Sequence, residues 1–184
     1  MKKYVIASFL LAIVLAACGQ RGPGVTPAPQ FAQSAQRPAA TAAVPPKTIG
    51  IELPGEGLGT VDDAKYGLVG GYTQKTRSQI VAFKPGITIT LLNLSHSIPH
   101  TLNVFSVYGF PKNPTLNTTA SGGPFQLGYR SGTLFPGKSV TVTLSKPGIY
   151  FVGCAFHYPD VPSMRDVIKV LANATPGPQA TPTP

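Results

Sequence analysis

Side chains that carry out chemistry are scarce in this chain of 184 residues, which has three histidines, two cysteines, two methionines and six acids. No paired carboxylates, nucleophile elbow or phosphate loop stands out, so the usual equipment for acid–base hydrolysis, acyl transfer and nucleotide chemistry is missing. Charge is thin, at 11% of residues, and helix-periodic segments are few. The N-terminal apolar run, Val5 to Leu15, falls short of the roughly 20 residues that a spanning helix needs. In place of these the chain has 20 glycines and 20 prolines punctuating short β-forming runs. That composition points to one modest β domain flanked by irregular tails, and no second domain is needed.

Residues 1–17 have the form of an export signal: Lys2 and Lys3, the apolar run, then small residues. Leu15-Ala16-Ala17-Cys18 resembles a bacterial lipobox, which predicts cleavage before Cys18 and acylation of its sulfur. The alternative is an ordinary secretory signal followed by an incidental cysteine. One acyl chain holds a membrane only marginally, whereas the several chains of a bacterial lipoprotein hold it firmly. The expected location is therefore the outer face of the cell membrane, on its periplasmic or extracellular side. Residues 18–47 are rich in Pro, Ala, Gln and Thr and poor in large apolar groups, so they read as a disordered linker. Its reach is about 30 Å as coil and about 90 Å as polyproline II. The Pro- and Thr-rich residues 172–184 read as a disordered tail.

Between the tails, residues 48–171 carry the strand signals. Candidates are Thr48 to Leu53, Gln79 to Phe83, Ile87 to Leu94, His100 to Val107, Lys138 to Leu144, Gly148 to Val152 and Arg165 to Leu171. Gly55 to Gly71 is ambiguous, and Phe110 to Thr133 is expected to be a long irregular excursion because Pro, Asn, Gly and Ser cluster there. Seven or eight strands without a strong helix signal predict an all-β, antiparallel Greek-key sandwich.

The scarce side chains concentrate in one place. Gly148 to Val170 places Cys154, His157 and Met164 on the connection between two predicted strands. A soft thiolate, an imidazole and a weak thioether are what a mononuclear copper electron-transfer site needs, provided that another imidazole arrives from elsewhere. His100 and His96 are both available, four residues apart and on the same face of an extended chain. His100 is preferred because it follows Pro99 and leads a strand. Cysteine arithmetic agrees: if Cys18 carries lipid, Cys154 has no disulfide partner, and a lone thiol in an oxidising compartment is a liability unless a metal binds it.

This pattern resembles the cupredoxins, small blue copper proteins that include plastocyanin, pseudoazurin, amicyanin and auracyanin. The resemblance covers roughly Thr48 to Leu171 and implies His100, Cys154, His157 and Met164 as ligands of one type 1 copper ion. Two residues separate Cys154 from His157, as in plastocyanin-like members, but six separate His157 from Met164, a longer loop than theirs. Thr101 stands where the family usually has Asn, and its hydroxyl is suited to a similar loop-bridging hydrogen bond. Ala155 stands where a hydroxyl residue is common.

Scarcity also narrows the function. Three histidines are too few for a multicopper oxidase or nitrite reductase, one loop cysteine is too few for a binuclear centre, and Met164 alone cannot make a methionine-rich carrier. The expected role is an electron carrier that turns over no substrate. It would shuttle single electrons between redox proteins such as a cytochrome, a quinol-oxidising complex, an oxidase or a photosynthetic reaction centre. A formal charge of +9 favours encounter with acidic partners or anionic headgroups, while export and the low charged fraction argue against nucleic acid. A monomer is expected. The apolar rim formed by Phe156, Tyr158, Pro159, Val161 and Pro162 is the candidate docking surface. The rival readings are a copper-delivery lipoprotein and a metal-free cupredoxin-fold binding module. Sequons at Asn93, Asn117 and Asn173 are read as chance occurrences.

Overall fold

Short runs in which every second residue is apolar build the strands. Thr88–Asn93 (TITLLN) buries Ile89, Leu91 and Asn93 and turns the residues between them outward, the period of a pleated chain with one face on a core. The computed structural model describes residues 47–74, 80–158 and 164–178, all within the larger of the chain's two units, Pro38–Pro184. The signal, Cys18, nearly all of the linker and the end of the tail lie outside these residues.

The strands are β1 (Thr48–Ile51), β2 (Thr60–Asp63), β3 (Gly67–Gly70), β4 (Tyr72–Thr73), β5 (Val81–Phe83), β6 (Thr88–Asn93), β7 (Asn103–Ser106), β8 (Ser139–Thr143), β9 (Gly148–Gly153), β10 (Arg165–Val170) and β11 (Gly177–Pro178). One wide helical turn, Pro54–Leu58, follows β1 and is closed by the Gly59 N–H donating to the Pro54 carbonyl. One sheet runs β4-β1-β6-β8, the other β11-β5-β10-β9-β7, and β2-β3 form a separate ribbon. The connections β6–β7, β7–β8 and β8–β9 each cross between the two large sheets, the interleaving of a Greek-key sandwich. This is the all-β architecture that the cupredoxin resemblance implies.

The core lies between the sheets. Ile49 and Ile51 of β1 and Ile89 and Leu91 of β6 meet Val81 and Phe83 of β5, Val152 of β9 and Ile168 and Val170 of β10. Each such side chain contributes about 1.5–3 kcal/mol on burial. A second cluster of Val69, Ile80, Phe151 and Val167, with Val61 and Tyr66 against it, brings residues of β2 and β3 onto the other face of β9 and β10. Asp166 is fully buried; its Oδ1 accepts the Val167 N–H, and burial pushes its carboxyl well above the ordinary range.

Two features differ from the expectation, and a third, ambiguous in the sequence, is resolved. The sheets are mixed, since β1–β6 and β5–β10 pair in parallel; once connections cross between sheets, strands distant in sequence become neighbours running the same way. The ambiguous segment after β1 forms the helical turn and the β2–β3 ribbon. The expected tail re-enters the fold, with Gly177 and Pro178 pairing antiparallel to Ala82 and Val81. A proline is tolerated at that edge, where one side of the strand needs no partner. The excursion after β7 behaves as its composition indicates: between Pro111 and Lys138 the structure has no strand, only isolated bridges.

Asn93, at the end of β6, is 1% exposed and joins three pieces of chain. Its Nδ2 donates to the carbonyls of Ile98 and Leu134, each at 2.8 Å, and its Oδ1 accepts the Ser95 N–H at 2.9 Å. The side chain at this sequon is therefore committed to the fold. Each such bond is worth about 1 kcal/mol net, and orphaned buried partners cost more. Asn93→Ala is expected to lower the unfolding free energy by about 3 kcal/mol, measured by urea denaturation; an unchanged midpoint would contradict the staple.

Candidate metal centre

Cys154 follows β9, in phase with Tyr150 and Val152, whose side chains belong to the core. The period of two therefore aims its sulfur into the end of the sandwich, where the residue is wholly buried. Its N–H donates to the Met164 carbonyl at 3.2 Å, so the connection between β9 and β10 begins and ends at adjacent backbone positions. The N–H groups of His157 and Tyr158 both donate to the Cys154 carbonyl, at 3.2 and 2.9 Å. This tight turn carries the His157 ring back over the sulfur.

His100 arrives from the other direction. The loop after β6 is held by Asn93, and His100 exchanges backbone hydrogen bonds with Leu134 at 3.0 and 2.8 Å. Its ring is fully buried, with Nδ1 3.8 Å from Cys154 Sγ; His157 Nδ1 lies 3.3 Å from the same sulfur. The two ring centroids are 5.0 Å apart. One ligand atom from each of His100, Cys154 and His157 falls within 4.8 Å of the others, a spacing that suits a single metal ion. His96 is exposed and outside this cluster, so of the two upstream histidines it is His100 that the structure brings to Cys154 and His157.

Thr101 ties the two loops together. Its Oγ1 accepts the Ala155 N–H at 2.8 Å, its N–H points at Cys154 Sγ at 3.4 Å, and its hydroxyl lies 3.9 Å from that sulfur. This is the loop-bridging bond expected of the residue standing in the usual Asn position. Burial pushes the Cys154 thiol up, and N–H groups including that of Thr101 partly offset it. Burial, and then the neighbouring His157, lower His100 to about 4, so its ring is neutral at pH 7 and holds a lone pair.

Met164 is fully buried, in the same cluster of packed side chains as Cys154. Its thioether faces Gly71, where an added Cβ would lie 2.3 Å from Sδ and whose φ of +81° disfavours any other residue. Of the candidate docking surface, Phe156 is 38% exposed, but Tyr158 is only 4% exposed. The Tyr158 ring packs edge-on against Phe105 and its hydroxyl donates to the Pro111 carbonyl at 2.7 Å, so it closes the domain rather than lining a surface. Pro159, Val161 and Pro162 lie outside the described residues, as does Cys18. Gly71, Ser95 and Glu56, all engaged around the site, carried no sequence signal of their own.

Among solved structures, the chain is similar to a purple cupredoxin from Nitrosopumilus maritimus, with 22% identity, 67% of this chain and 97% of that chain covered, and a TM-score of 0.39. It is also similar to a mutant of amicyanin in its Cu(I) form, with 20% identity, 52% and 71% covered, and a TM-score of 0.35. An oxidised amicyanin mutant matches at 16% identity, with 70% and 81% covered and a TM-score of 0.39. No protein-family model and no curated protein matches the chain.

Gly71→Ala tests the packing around the thioether. The strained backbone alone costs about 1–3 kcal/mol, and the collision forces Met164 to move. A loss of that size in thermal or urea unfolding, with shifted Met164 methyl resonances, is the expected result. A variant as stable as the wild type would show that the thioether is not confined there.

Proposed function

We propose that this chain is a type 1 copper electron-transfer protein, with His100, Cys154 and His157 as its principal ligands and Met164 as the weak axial one. The observation that carries the reading is the convergence of one thiol sulfur and two imidazole nitrogens at the buried end of a β-sandwich. Bound copper supplies one-electron exchange between Cu(II) and Cu(I). The chain supplies rigidity: a strand end, a bridged loop and a tight turn each fix one ligand, so little needs to move when the charge changes. The Thr101 N–H stabilises negative charge on the sulfur and so favours the reduced state. The thiol must give up its proton on binding, as metal ligation generally requires.

His157 is half-buried beside exposed Phe156, which makes this edge the route for electrons to and from a partner. The lipobox-like Leu15-Ala16-Ala17-Cys18 and the linker after it support a domain tethered outside the cytoplasm, which we take to act as a monomer. Its proposed partners are membrane-associated redox proteins (a cytochrome, a quinol-oxidising complex, an oxidase or a reaction centre) and not nucleic acid. On this reading it transfers electrons without transforming a substrate.

Adding one equivalent of Cu(II) is expected to produce strong visible absorption from the thiolate–metal bond. Cys154→Ser should abolish it, and repeated chemical reduction and oxidation should return it with metal content unchanged. Loss of metal during cycling would point instead to copper delivery, and failure to take up stoichiometric copper would point to a metal-free binding module.

A further inference from the structure

His100 has a second nitrogen, and its surroundings are built. Nε2 lies 2.8 Å from the hydroxyl of Ser95, a residue 3% exposed whose N–H is itself held by Asn93 Oδ1. The same hydroxyl donates to Oε2 of Glu56, which the helical turn after β1 presents from another part of the chain. A serine hydroxyl has one proton and an ionised carboxylate can only accept. With that proton given to Glu56, Ser95 Oγ must accept from His100, so Nε2 carries the hydrogen and Nδ1, facing Cys154, keeps its lone pair.

We infer that Ser95 and Glu56 are positioning residues of the metal centre. They form a serine-bridged carboxylate relay that fixes the His100 tautomer and passes negative charge toward the imidazole. Outer partners of this kind orient a ligating histidine and raise its basicity. A more electron-rich imidazole favours Cu(II) over Cu(I), so the relay lowers the reduction potential and opposes the effect of the Thr101 N–H on the sulfur. Glu56 is exposed at the surface while Ser95 and His100 are buried, so Ser95 is the hydrogen-bonded link between the carboxylate and the ring.

The inference rests on the copper reading of the site, but one arm of its test does not need copper. In the metal-free protein, nitrogen NMR of His100 is expected to show the Nε2–H tautomer in the wild type and in Glu56→Gln, which keeps an acceptor for Ser95. Ser95→Ala should show a mixture or a switch. In the copper-loaded protein, Ser95→Ala is expected to lower Cu(II) affinity about 10- to 100-fold. Glu56→Gln should lower it less, with Cu(I) affinity changed less than Cu(II) affinity and the reduction potential raised in both variants. A merely structural role would alter unfolding without moving the tautomer or the ratio of the two affinities. An unchanged tautomer in Ser95→Ala, or an unchanged potential in both variants, overturns the relay. If Ser95→Ala does not fold, the potential of Glu56→Gln decides alone. A wild type that takes up no copper would defeat the proposed function and leave the tautomer arm to judge the relay.

Discussion

Everything at the functional end of this molecule depends on a sulfur atom held in the dry interior between two imidazoles. A thiolate there is poorly stabilised by its surroundings: burial opposes ionisation, and hydrogen bonds such as that from the Thr101 N–H offset the penalty only in part. Burial likewise makes protonation of His100 unfavourable. The buried thiol and the neutral His100 ring thus face one another with His157 Nδ1 beside them, and on the proposed copper reading a soft cation at their centre would take the place of the thiol proton.

Two independent parts of the fold create that arrangement. Strand β9 delivers Cys154 by simple alternation, because the residues two and four before it are locked in the core. His100 arrives by a longer chain of cause, in which Asn93 holds its loop, Leu134 pairs with its backbone and Ser95 holds its ring. Thr101 then fastens one side to the other through the Ala155 N–H. Because every fastening is a backbone or side-chain hydrogen bond within the protein, the geometry exists before any metal arrives. On the proposed copper reading, a small cost of rearrangement between oxidation states would follow from this.

Much of this was legible in the sequence, for a physical reason. Strands β6 and β9 announce themselves by β-forming runs and β8 and β10 by alternation, and the thiol and imidazoles are so rare that their positions carry information. Ser95, Glu56 and Gly71 were not legible, since serine, glutamate and glycine are common on any loop and their roles depend on contacts across 39 or more residues in two of the three cases. The same applies to Tyr158: an aromatic beside the half-buried His157 looks like a rim residue until Phe105 and Pro111 are seen to enclose it. Parallel pairing of β1 with β6 and of β5 with β10, and the return of residues 177–178 to the sheet edge, are likewise consequences of sheet crossing that local periodicity does not encode.

The central claim is that the ligands converge before the metal binds. Crystal structures of the protein prepared without and with copper test it most directly. The account predicts that Cys154 Sγ and the two Nδ1 atoms superimpose in both structures, with the added ion bonded to all three. A metal-free structure in which the sulfur stands apart from both imidazoles, or a copper ion bound elsewhere, would contradict it.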